Sequence, residues 1–162
     1  MTAASSGLLV LCIGNPDRGD DGFGPAVAAE LEGRLPDSAA LATRSGDMLS
    51  LIEDWEGFDA LICVDAAAPM TKPGTLHRID LAEQDLPREL AAVSSHAFGL
   101  GEAVALARTL GLAPPTIIVY AVEGENFDGG APMTAAVTAA IKPAAMQIAA
   151  EAARLQEMAN HA

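Results

Sequence analysis

The chain has 162 residues, 51% of them hydrophobic, and carries nine Lys and Arg against 22 Asp and Glu, a formal net charge of −13. That length suits one domain, residues 1–162, able to bury roughly 70% of the surface its unfolded form exposes. The charge repels phosphate backbones and anionic lipid, which argues against nucleic acid and membrane surfaces as partners.

The N-terminal MTAASSG lacks a cationic region, and the apolar stretch after it stops at Gly14, too short for a signal-peptide core with its cleavage site or for a membrane span. A cytoplasmic location is expected. Leu8 to Ile13 is a nearly continuous apolar run, the signature of a strand buried on both faces. It runs into GNPDRGDDGFG, residues 14–24, where two adjacent carboxylates, Asp20 and Asp21, sit among glycines. A glycine-rich turn between a strand and a helix falls at the carboxyl edge of an α/β sheet, where such folds bind ligands. An acidic surface turn has the same composition.

Pro25 suits the first turn of a helix whose buried stripe is Val27, Leu31 and Leu35. Asp47 is placed to cap a second helix, with Met48, Leu51, Ile52 and Trp55 on one face. Phe58 to Val64 is the next buried strand, ended by Asp65, a carboxylate that must reach solvent, a partner or a metal. Cys12 and Cys63 fall inside strands and are expected to be reduced core residues. Gly74 to Ile79 reads as a short edge strand, and Asp80 to Val93 as a polar loop. Ser94, Ser95 and His96 precede a helix over Phe98–Leu110 whose inner face is Leu100, Val104, Ala107 and Leu110, with Gly111 as its stop. Pro115 to Val122 is a further strand, and the chain is helical from about Thr134, broken or restarted at Pro143. Residues 1–6 and 159–162 are expected to fray. The alternation predicts an α/β three-layer sandwich, a mostly parallel sheet of about five strands with helices on both faces.

Asp21, Asp65 and His96 can thus converge at one sheet edge. Two carboxylates and an imidazole with an open position form the three-ligand site that metal-assisted hydrolysis requires. Oxygen and imidazole donors suit Ni²⁺ or Zn²⁺. His96 as a helix-entry cap is the bland alternative.

The segments IGNPDRGDDGFG, ICVDAA and SSHAFGL, in this order, resemble the three hallmark segments of the hydrogenase maturation endopeptidases, which process the large subunit of nickel–iron hydrogenases. The resemblance implies a hydrolase that removes a C-terminal extension from the large-subunit precursor after nickel has been installed. It implies Asp21, Asp65 and His96 as nickel ligands and catalytic residues, with Asp20 added to the catalytic set as an outer-shell or substrate-facing group. It also makes Ni²⁺, supplied by the substrate, the expected metal, with Zn²⁺ or Cd²⁺ able to substitute. VEGENFDGGAP resembles the family as well, with Glu125 expected to line the cleft. Asp17 stands where the family usually has an apolar residue, and Arg44 to Asp47 where its loop is richer in glycine.

Two other readings compete. The same ligands would serve a non-catalytic nickel-sensing checkpoint or chaperone of hydrogenase assembly. A phosphate- or nucleotide-binding module is disfavoured, because the glycine loop lacks a P-loop lysine and presents carboxylates to any phosphate.

Overall fold

A computed structural model describes residues 7–45, 48–87 and 99–160. In chain order it contains β1 (Leu8–Ile13), a 3-10 turn over Gly19–Gly22, α1 (Phe23–Leu31), β2 (Ala39–Arg44), α2 (Met48–Trp55), β3 (Ala60–Ala67), β4 (Leu76–Asp80), α3 (Leu100–Leu110), β5 (Thr116–Glu123) and α4 (Ala135–Asn160). The five strands form one sheet in the order β2-β1-β3-β5-β4. Every neighbouring pair is parallel except β4 with β5, which is antiparallel.

The central strands are buried on both sides, and the two-residue period of a strand divides their side chains between two cores. Leu9, Leu11, Leu61, Cys63, Ile117 and Val119 face one way, covered by Leu51, Ile52 and Trp55 of α2 and by Leu100, Ala103, Val104 and Ala107 of α3. Val10, Cys12, Ile62, Val64, Ile118 and Tyr120 face the other, covered by Phe23, Val27 and Leu31 of α1 and by Val137, Ala144 and Ile148 of α4. The expected mostly parallel three-layer α/β sandwich is the observed architecture.

Several local expectations need correction. β3 does not stop at Asp65 but runs to Ala67, with Asp65 still paired against Ala121 of β5. β2 is a strand that Ala-rich AALATR does not announce, because it lies at the sheet edge, half exposed, and owes its conformation to pairing with β1 rather than to intrinsic preference. Leu35 lies beyond the end of α1, though it still packs on the core. Leu110 is 57% exposed, and Ala103 takes the place foreseen for it on the inner face of α3. Gly111 does end α3, at φ 73° in the left-handed region. Pro143 neither breaks nor restarts α4. It sits on the exposed side of the helix, where the carbonyl it leaves without a donor can turn to water, while Ala140, Ala144 and Ile148 hold both flanks to the sheet. Residues 159 and 160 belong to α4. The capping role foreseen for Asp47 and the loop assigned to 88–93 lie outside the described residues.

Among the described residues, buried charge is confined to a few places. Glu151 of α4 accepts from Arg78 of β4 at 2.6 Å and from Tyr120 of β5 at 2.7 Å, and is also bonded by Arg154, so one carboxylate ties the antiparallel edge to the helix layer. Cys12 and Cys63 are free and fully buried. Burial pushes the Cys12 thiol up to about 12 and raises Cys63 further, the latter also by the nearby Asp65 and Cys12 charges. Both thiols should therefore react with a small thiol reagent on the order of a hundredfold more slowly in the native protein than in denaturant. Native-state labelling at the unfolded rate would contradict these placements.

Candidate functional site

The carboxyl ends of β1 and β3 lie side by side, and the turn after β1 folds back over β3. Two glycines make this possible. Gly14 has φ 151°, and a Cβ there would lie 1.9 Å from the carbonyl oxygen of Asp21. Gly19 has φ 55°, and its Cβ would lie 2.2 Å from the carbonyl oxygen of Asn126. Only a residue without a side chain lets the 3-10 turn press both on the strand end and on the loop that follows β5.

The two adjacent acids of the turn have different surroundings. Asp20, fully buried, accepts from the backbone N–H of Glu125 (2.7 Å), Asn126 (3.0 Å) and Thr134 (2.7 Å) and from the Thr134 hydroxyl (2.9 Å to each oxygen). Both of its oxygens are occupied, and Asp20 fastens the turn to the 124–134 loop. The Glu125 side chain on that loop is exposed.

Asp21 is only 1% exposed. Its Oδ2 accepts from the Asn15 N–H at 2.9 Å, and its Oδ1 is buried without any partner. Asp65, on β3, is 3% exposed. Its Oδ1 accepts from the Ala66 N–H at 2.8 Å, and its Oδ2 is likewise buried and unpartnered. Burial pushes the Asp65 carboxyl well above the usual carboxylate range, the Ala66 N–H opposes that rise, and the neighbouring Asp21 charge adds to it. Two of the four buried, unpartnered side-chain polar atoms among the described residues are therefore oxygens of Asp21 and Asp65, and the Asp21 charge acts on Asp65. An orphaned buried carboxylate oxygen costs free energy unless a cation or donor answers it.

His96 lies outside the described residues, as do Ser94 and Ser95. Among the described residues no three His, Cys, Asp or Glu side chains cluster as a metal site. Asp65 belongs by strand parity to the face covered by α3. Arg108, near the end of α3, donates to the Leu81 carbonyl, and the Leu81 N–H to the Ile117 carbonyl near the start of β5, so α3 begins toward the carboxyl edge. Arg44, at the end of β2, is held by Asp54 through contacts of 2.9 and 3.1 Å. A cleft of about 190 Å³ lined by Gly14, Pro16, Pro25, Thr43, Arg44 and Ser45 borders the turn. A cavity of about 390 Å³ between Leu81–Leu86 and α3 contains neither carboxylate.

One functional-looking residue escaped the sequence. Glu123, the last residue of β5, is fully buried. Its Oε1 accepts from the N–H groups of Met70 (2.9 Å), Thr71 (2.8 Å) and Lys72 (3.0 Å), and its Oε2 contacts the Thr71 hydroxyl (3.1 Å) and His77 Nε2 (2.7 Å). Nothing in VEGENFDGGAP distinguishes this acid from Glu125, because its partners lie some fifty residues upstream. His77, read from sequence as a bystander in the edge strand, is one of them. Burial alone would raise the Glu123 carboxyl, but the bonds from His77 and the three N–H groups outweigh it and hold the carboxyl at about 2, below its ordinary 4.5. A depressed carboxyl stabilises the fold above its unfolded pKa and loses that contribution as pH falls through the folded value. Glu123→Gln should therefore melt at a lower temperature than the parent protein at pH 7, with the gap closing as pH drops from about 4.5 toward about 2. A gap independent of pH over that interval would contradict this.

The fold agrees with what the chain resembles. A family model described as hydrogenase maturation protease (HycI) matches residues 42–151. The hydrogenase expression/formation protein HupM of Azotobacter chroococcum mcd 1 is 31% identical over 149 residues, which cover 89% of this chain and 70% of that protein. The hydrogenase maturating endopeptidase HybD from E. coli superposes with a TM-score of 0.73 at 26% identity, covering 94% of this chain and 93% of that one. An endopeptidase from Escherichia coli, solved in solution, gives a TM-score of 0.74 at 27% identity over 88% and 89%. With a family match over most of its length, a relative above 30% identity and a shared fold, the chain belongs to the hydrogenase maturation proteases.

Proposed function

We propose that this protein removes the C-terminal extension from the large-subunit precursor of a nickel–iron hydrogenase once nickel is in place, using a divalent ion held by Asp21, Asp65 and His96. Membership of the maturation proteases supports the reaction class and the kind of substrate. The observation that carries the site is the pair of buried, unanswered oxygens, Asp21 Oδ1 and Asp65 Oδ2, at the carboxyl edge of the sheet. Hard oxygen donors of this kind fit Ni²⁺ or Zn²⁺. His96, as the third ligand, comes from its motif.

A divalent ion held there would polarise a peptide carbonyl or acidify water. The remaining contributions come from the chain itself. The Asn15 and Ala66 N–H groups each take one oxygen of a carboxylate and leave the other without a partner, so both acids are oriented before anything binds. Asp20 keeps the turn in place by its bonds to residues 125, 126 and 134, so the geometry does not depend on the ligand. Cys12 and Cys63, buried in strands with raised pKa values, are unsuited to act as nucleophiles. On this reading nickel is part of the substrate and arrives in the precursor.

Incubation of the pure protein with a nickel-loaded large-subunit precursor, followed by mass spectrometry, should show loss of the extension. Asp21→Asn, Asp65→Asn and His96→Ala should each lower that rate by on the order of a hundredfold or more, since a lost ligand removes several kcal/mol of charge stabilisation. Their melting temperatures should stay close to the parent's, and Asn keeps the shape of Asp. A precursor that is bound but never shortened would overturn the protease reading in favour of an assembly checkpoint. Normal shortening by His96→Ala would remove it from the ligand set.

A further inference from the structure

The segment from Ala68 to Thr75 leaves β3 three residues after Asp65, crosses the carboxyl end of β5 and returns to enter β4, on the outer edge of the sheet. It is fastened at both ends by backbone bonds. The Gly124 N–H donates to the Ala67 carbonyl at 2.8 Å, the Gly74 N–H to the Glu123 carbonyl at 2.7 Å, and the Glu123 N–H to the Thr75 carbonyl at 2.9 Å. Its middle is held by the Glu123 side chain, with three successive N–H groups converging on Oε1 and the Thr71 hydroxyl and His77 on Oε2.

This arrangement serves neither the core nor the ion site. Pro69, Met70, Thr71 and Lys72 are all exposed, so an internal carboxylate with five bonds is spent on fixing a surface ledge. Such a ledge would otherwise be mobile, since exposed connections with little apolar burial sit at the low end of local stability. Met70 is 42% exposed, one of few large apolar side chains left open to water. Lys72 has no ion-pair partner among the described residues, in a chain of net charge −13. With both Glu123 oxygens occupied, this residue has no capacity left to act as a ligand or a base.

The geometry points to Glu123 as a positioning residue that holds the 69–72 ledge in register beside the Asp21–Asp65 pair, where the ledge receives the precursor chain, an apolar side chain resting on Met70 and a carboxylate meeting Lys72. This inference rests on the proposed reaction for its substrate. A fixed ledge contributes binding in the ground and transition states alike, so its loss raises KM and leaves kcat in place.

Three measurements test it. Hydrogen exchange on the free protein should show the amides of Met70, Thr71 and Lys72 protected despite their exposed position, and that protection should be lost in Glu123→Gln. With nickel-loaded precursor, Glu123→Gln should raise KM about tenfold with kcat within about twofold of the parent. Met70→Ala/Lys72→Ala, which alters only exposed side chains and keeps the fold whatever Glu123→Gln does, should raise KM in the same way and weaken precursor binding measured directly. Unchanged KM and unchanged binding in that double variant would overturn the inference, as would fast exchange of the three amides in the parent, or a Glu123→Gln variant that loses kcat at unchanged KM. Binding is read separately from turnover, so a parent protein that binds precursor without shortening it defeats the proposed reaction while the ledge is still decided by the double variant.

Discussion

Taking a carboxylate out of water costs several kcal/mol unless another charge or a set of donors answers it, and at the carboxyl edge of this sheet two such groups lie together with half of their oxygens unanswered. Much of the local architecture serves to keep them there. Asp65 cannot swing away because it is held within β3 by ladder bonds to β5. Asp21 is carried by a turn that exists only because Gly14 and Gly19 allow backbone to approach backbone more closely than any side chain would permit. On the proposed reading, a divalent cation held there would answer both oxygens and relieve that cost.

Neighbouring acids in this protein divide the work between structure and chemistry according to how many donors reach them. Asp20 receives three backbone N–H groups and a hydroxyl, and becomes a clamp between the first turn and the last loop. Asp21, one residue on, receives one N–H and keeps an oxygen free. Glu123 and Asp65 repeat the contrast on adjacent strands, the first filled by five bonds and the second by one. Burial raises the carboxyl of both, yet only Glu123 has enough donors to bring it down, to about 2. Among the described residues, the buried carboxylates Asp20, Glu123 and Glu151 are saturated with donors, while Asp21 and Asp65 each keep an oxygen without one.

These distinctions mark the limit of what the sequence reveals. The long apolar runs Leu8–Ile13 and Thr116–Glu123, and the segment around Asp65, are recognisable because a buried parallel strand must be apolar on both faces. β2 is not, since an edge strand of alanines owes its existence to its neighbour. Pro143 misleads because a helix gripped on both sides of a proline tolerates the lost bond when the proline faces water. At the site, Asp21 and Asp65 are legible from their positions after β1 and near the end of β3, whereas the roles of Asp20 and Glu123 depend on donors between about 50 and 114 residues away in the chain, which no local pattern encodes.

The central claim is that Asp21 Oδ1 and Asp65 Oδ2 face one another across a place for a divalent cation. Crystals grown with Zn²⁺ or Cd²⁺ and measured by anomalous diffraction test this most directly. The account predicts a single strong ion peak bonded to both of those oxygens, and its disappearance in Asp65→Asn. Saturating ion with no peak at that place, or ions bound only elsewhere while both oxygens stay bare, would contradict it.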